Sequence, residues 1–190
     1  MMKRIKRLLI VSVLLLSHAA WAETQSEQVS GDYHLTLYQD VQGSVEGLEL
    51  FTKQADQDVF FGVSCNAINP FPMLQILLFN EAIISESPRL LTLSYRIDGA
   101  EDANVQPVQG VLQARVNYEE ISNKVRLELK PEHFASMAAM KRGYEDWLLA
   151  LKAGKEVVFS LSHASFGQKR YAFSLRGFQA LIAPYEEVCY

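Results

Sequence analysis

The sequence predicts a single α+β domain, mostly antiparallel β. It should be a sheet-dominated sandwich or barrel-like body with a helix near 132–152 and a short C-terminal helix, closed by a disulfide. Three observations carry that prediction. Apolar and polar residues alternate in segment after segment, the period of a half-buried strand. The period switches to helical spacing after Pro131 and again near the C-terminal end. Both cysteines, Cys65 and Cys189, lie in the part of the chain expected to be exported.

The chain has 190 residues, 49% apolar and 21% charged. That balance excludes collagen-like, low-complexity and broadly disordered classes, and the length suits one domain. Residues 1–22 read as a cleaved signal peptide. Lys3, Arg4, Lys6 and Arg7 form a basic start, and Leu8 to Leu16 is apolar except for Ser12. Ala20 and Ala22 flank Trp21 at the positions a signal peptidase reads, which sets the new N-terminus at Glu23. The apolar run falls short of the ~20 residues that span a bilayer. No Cys follows the cut, so a lipoprotein acylation site is missing. The expected organisation is a signal peptide over 1–22, a flexible polar leader over 23–31 and one globular domain over 32–190. The mature chain should carry no transmembrane segment and work in the periplasm or outside the cell.

Charge excludes another class of partner. The chain carries 18 Lys and Arg against 22 Asp and Glu, a formal charge of −4, and four of the basic residues leave with the signal peptide. An acidic protein without a dense basic cluster is a poor match for nucleic acid, whose phosphates need concentrated positive charge.

The elements follow in order. Tyr33 to Gln39 alternates with Tyr33, Leu35 and Leu37 on one face, and Gly47 to Lys53 does so through Leu48, Leu50 and Thr52. Asp58 to Cys65 sets Val59, Phe61, Val63 and Cys65 on one face and Phe60 on the other. Asn69-Pro70-Phe71-Pro72 breaks the chain. Met73 to Asn80 is nearly continuous in apolar residues, which fits a central strand or a buried helical turn. Arg89 to Asp98 is the clearest strand, with Leu91, Leu93, Tyr95 and Ile97 inward. Gly99 to Pro107 is a polar loop. Gly110 to Tyr118 and Asn123 to Lys130 are further strands. Pro131 and Glu132 suit a first helical turn. Phe134, Met137, Tyr144, Leu148 and Leu151 share a helical face that Lys141 interrupts and Gly143 weakens by about 1 kcal/mol. This predicts a short helix over roughly 132–141, a firmer one over roughly 144–152, and Gly154 as its C-terminal cap. Strands over Glu156–Ser162 and Lys169–Leu175 flank a hairpin connection. Phe178, Leu181, Ile182 and Tyr185 then recur at helical spacing, and Pro184 should kink or end that helix.

Two cysteines allow one intramolecular pairing, Cys65–Cys189. The alternatives are an intermolecular bridge or two free buried thiols. Closing so long a loop is worth roughly 4–5 kcal/mol in the chain-entropy model, less any native strain.

No catalytic residue, cofactor site or metal site is assigned. His34, His133 and His163 sit in different elements at no ligand spacing. Ser64, in Gly62-Val63-Ser64-Cys65-Asn66, lacks the second Gly of a nucleophile elbow and reads as the outward neighbour of a structural Cys. A Cys65 nucleophile with His163 would need a reduced thiolate, which export disfavours. Asp98, Glu101 and Asp102 crowd one loop and Glu119 and Glu120 another; such loop carboxylates are ordinarily just solvated. Among the aromatics, Phe71 and Phe166 are flanked by turn residues, which makes them the candidate partner-contact anchors.

One resemblance rests on the order of features. A Cys in an early strand comes first, then Tyr95-Arg96-Ile97-Asp98-Gly99 at a strand end, then a helix and a strand. Phe173-Ser174-Leu175-Arg176-Gly177-Phe178 then leads into a short helix ending at Cys189. This layout, over roughly 58–190, resembles small exported bacterial proteins of the invasion-associated locus B type. It is also similar to the periplasmic accessory proteins of type VI secretion in the VasI/TagO group. The resemblance implies a non-enzymatic envelope or host-interaction protein and brings no catalytic residues. The expected function is therefore a protein-interaction module whose partner is another envelope or secreted protein. Two alternatives stand beside it. One is a small-ligand or cell-wall carbohydrate binder or hydrolase using carboxylates such as Asp98 and Glu119. The other is a secreted enzyme inhibitor acting through a loop such as 66–72 or 163–168.

Overall fold

The computed structural model describes residues 24–69, 71–79, 90–99, 107–118, 122–130, 133–163 and 167–190. The expected signal peptide lies outside these residues, as do Phe166, Pro131, Glu132, Glu101, Asp102, Glu119 and Glu120.

Among the described residues, ten strands form one antiparallel sheet. They are β1 (Thr24–Ser30), β2 (Tyr33–Gln39), β3 (Val45–Lys53), β4 (Val59–Asn66), β5 (Met73–Phe79), β6 (Leu90–Asp98), β7 (Val108–Tyr118), β8 (Ser122–Glu128), β9 (Glu156–His163) and β10 (Gly167–Ser174). Their order across the sheet is β1-β2-β3-β4-β5-β8-β7-β6-β9-β10. The sheet curls into a half-barrel, so the barrel-like α+β expectation holds. Curling lets one face of each strand from β2 to β10 converge on a single interior, against which the helical pieces pack.

The alternation seen in the sequence is the inner face of that curl. Tyr33, Leu35, Leu48, Leu50, Phe61, Val63, Leu74, Ile76, Leu93 and Leu112 are all buried. Phe61 sits at the centre, with ring centroids 5.2 Å from Phe159, 5.5 Å from Phe173 and 6.3 Å from Trp147. These contacts join β4 to β9, to β10 and to the helix across the interior. Met73 to Phe79 is a strand, not a helical turn; it pairs with β4 on one side and β8 on the other.

The polar leader expected over 23–31 is a correction. Residues 24–30 form β1, paired with β2 along its whole length from Thr24↔Gln39 to Ser30↔Tyr33. A polar strand at a sheet edge is held by its backbone ladder rather than by side-chain burial, so hydropathy does not reveal it. One side chain adds a tie: Gln28 Nε2 donates to Tyr185 Oη at 2.9 Å.

The helical region is also corrected. Two helices were expected, but α1 runs unbroken over Met137–Ala153, capped by Ser136, whose hydroxyl accepts from the Ala139 N–H at 3.2 Å. Gly143 does not divide it. The Phe134 ring lies over that glycine, and a Cβ there would stand 2.6 Å from it. The helix thus loses about 1 kcal/mol of propensity and gains a packed aromatic. Tyr144, Trp147, Leu148 and Leu151 face the core. Gly154 does cap the helix, in an extended conformation with a Cβ position 2.5 Å from Ile97.

After β10 the chain forms α2 (Phe178–Ile182) and a 3-10 segment, Ala183–Cys189, with Pro184 in its first turn. Proline ends the α-helix as expected. Cys189 then bonds to Cys65 on β4, across a sequence separation of 124. Two left-handed glycines make the junction with β1 close. Gly31 (φ 57) and Gly177 (φ 96) each lie against the other's segment, where a Cβ would fall 2.4 Å from the Arg176 carbonyl oxygen and 1.9 Å from that of Ser30. Neither position has room for a side chain.

Candidate functional site

The strand that carries Cys65 runs directly into the 66–72 loop. Asn66 Oδ1 accepts from the N–H groups of Ile68 (3.1 Å) and Asn69 (2.8 Å), and Asn69 Oδ1 accepts from the Phe71 N–H at 3.2 Å. Asn side chains mimic a backbone turn in this way, so the loop is built from its own polar groups. Its entry is fixed by the disulfide. Its exit is fixed by Phe71, whose ring packs on Tyr144 of α1 at 5.2 Å and 33°. Tyr144 Oη in turn accepts from the Leu129 N–H at 3.3 Å.

Phe71 is therefore not an exposed anchor. It is half-buried, because Tyr144 of α1 lies against its ring where the loop returns to β5. Ile68, three residues earlier, is 95% exposed. The signal for this in the sequence is an apolar residue set between two turn-forming residues, Asn66 and Asn69. A groove of about 400 Å³ flanks Ile68 on the outer face of the sheet, bordered by Tyr38, Glu46, Glu49, Ser64 and Met73. Tyr38 donates to Glu49 at 3.0 Å, and Ser64 accepts from Gln75 Nε2 at 3.3 Å, so the groove floor is already ordered. Ser64 lies on the outward face beside Cys65, with only 8% exposed.

The other sequence candidates do not converge. Asp98 receives Arg96 Nε at 2.7 Å on the surface. His34 projects from β2, and His133 precedes α1. Among the described residues no three His, Cys, Asp or Glu side chains gather as metal ligands. Burial raises the Tyr144 phenol, and Tyr190 is pushed up to about 12 by burial and by Glu186 and Glu145. Neither phenol ionises near neutral pH.

One ion pair has a pH signature. Hydrogen bonds to Asp32 from Arg176, and secondly from Ser174, hold its carboxyl below the ordinary value of 3.8, with burial opposing them. A carboxylate whose folded pKa is depressed stabilises the fold above the unfolded pKa and loses that contribution as pH falls through the folded one. Asp32→Asn should therefore lower the melting temperature at neutral pH. The gap from wild type should close as the pH is taken below 3.8. Thermal unfolding across that range checks it; a gap constant with pH would contradict it.

No family model, no curated protein and no solved structure matches the chain.

Proposed function

We propose that this chain is a non-enzymatic protein-interaction module of the bacterial envelope, periplasmic or secreted, that holds its partner through the 66–72 loop. The observation that carries the reading is Ile68. A large apolar side chain, 95% exposed, stands on a loop tied at one end by a disulfide and at the other by Phe71 on Tyr144. An anchor already held in place loses little conformational entropy on binding, which is what a binding hot spot requires. The groove beside it is bordered by Glu46 and Glu49, so the partner that fits offers a Lys or Arg next to an apolar side chain. The signal-like N-terminus and the order of features shared with the invasion-associated locus B type and VasI/TagO proteins support the same reading and its envelope setting.

The test is capture from envelope extracts with wild-type and Ile68→Asp protein, each shown to be folded. Wild type should retain a partner, and Ile68→Asp should lose it, with a cost of about 2 kcal/mol or more, the size of a hot spot. Equal recovery by both proteins would contradict the proposed surface.

A further inference from the structure

The 66–72 loop calls for a partner with a cation and an apolar contact, and this chain carries such a surface itself. It lies on the outer face of β7, β6, β9 and β10. Register puts Val111, Ser94, Ser160 and Arg170 in one row across those four strands, with Arg96 and Val158 in the next. Residues in register with one another project from the same side of a sheet. The two serines are short, so a trough of about 720 Å³ opens over them. Strands lie about 4.8 Å apart, so Val111 and Arg170 stand about 14 Å from each other across the serines, room for one protruding side chain with a charged neighbour.

Charge decides what fits there. Among the described residues no Asp or Glu lines the trough, in a chain whose formal charge is −4. Arg96 is committed to Asp98 at 2.7 Å. Arg170 is exposed and forms no ion pair among the described residues. Val111, at the far end of the row, is 42% exposed and supplies the apolar contact.

The groove at Ile68 is the complement of this trough. Among the described residues no Lys or Arg lines it, and Glu46 and Glu49 do. Glu49 accepts from Tyr38, whereas Glu46 is exposed and forms no ion pair among the described residues. One surface thus protrudes and is acidic, and the other is recessed and basic. Both lie on the outer face of one sheet, several strands apart, so they cannot meet within a molecule. We infer that the partner of the 66–72 loop is a second copy of this chain, which receives Ile68 over Ser94 and Ser160 and pairs its Arg170 with Glu46. The inference rests on the reading of Ile68 as a binding anchor. The contact is heterologous: each copy keeps a free loop on one side and a free trough on the other. Assembly therefore continues until it closes as a ring or extends as a filament.

Sedimentation velocity of the disulfide-closed protein over a wide concentration range tests this. The mass of the wild type should rise above that of a monomer as concentration increases. Ile68→Asp, Glu46→Arg and Arg170→Glu should each weaken self-association about tenfold or more. An equal mixture of the Glu46→Arg and Arg170→Glu proteins should regain it, because each then meets an opposite charge on the other; that recovery also shows that both variants are folded. Wild type that stays monomeric, association that the substitutions leave unchanged, or a mixture that does not recover would each overturn the inference. Monomeric wild type that still retains a different protein through Ile68 would overturn this inference alone and leave the role of the loop standing.

Discussion

Replacing Phe61 by Ala is expected to cost about 3–5 kcal/mol of folding free energy, the range for truncating a buried aromatic. Phe61 has no exposed surface, and its ring meets Phe159, Phe173 and Trp147. Phe159 and Phe173 belong to β9 and β10, far from β4 in the sheet order, and Trp147 belongs to α1. The loss therefore falls on the contacts that hold the curl together, not on one strand pair. A cavity at this point has few ways to collapse, because its walls are strands tied into their ladders. Phe60→Ala is the control. That neighbour is half-buried on the outer face, where it meets Phe79 edge-on at 5.6 Å. Urea unfolding of the two variants should place Phe61→Ala well below Phe60→Ala. Equal losses would mean the interior is not organised around Phe61.

The second large effect concerns the C-terminal clamp. Cys65→Ala with Cys189→Ala should lower stability by about 2–5 kcal/mol, as should reduction of the wild type. Both cysteines are buried, so Ala is preferred to Ser, which would add an unpaired hydroxyl. The bridge restrains Ala183–Cys189 against β3 and β4. Without it, what remains on that segment is weaker: the Lys152–Glu186 ion pair, the Gln28–Tyr185 hydrogen bond and the partial burial of Tyr185 and Val188. Amide exchange should accelerate first in α2 and Ala183–Cys189, while the central strands exchange only on global unfolding. Uniform acceleration across the sheet would contradict a local clamp.

How much of this was legible depends on what each residue does. Eight strands could be read because apolar and polar residues alternate along them, whereas Met73–Phe79, apolar on both faces, fitted a strand or a helical turn equally. Tyr33–Gln39 matches to the residue, and Arg89–Asp98 shares its end at Asp98 with β6. Cys65 could be placed inward because it shares parity with Val59, Phe61 and Val63. β1 was illegible because its stability resides in backbone bonds that any sequence can make. The unbroken α1 was illegible because Gly143 is excused by Phe134, a tertiary contact that propensity does not contain. The sheet order was illegible as well, since β5 pairs with β8 and β6 with β9, and alternation names no partner. At the candidate site the chain break at Asn69-Pro70-Phe71-Pro72 was legible, and the exposure of Ile68 was not. Phe71 looked free only because Tyr144 lies more than seventy residues away in sequence, and Ile68 took the exposed position.

The proposed function requires export, and the Cys65–Cys189 bridge fastens the tail to β4. Non-reducing peptide mapping of native protein, released from cells by osmotic shock, tests this most directly. The expected result is an N-terminus at Glu23 and a single linked peptide pair holding Cys65 and Cys189. Protein retaining the residues before Glu23, with both cysteines open to alkylation, would contradict it.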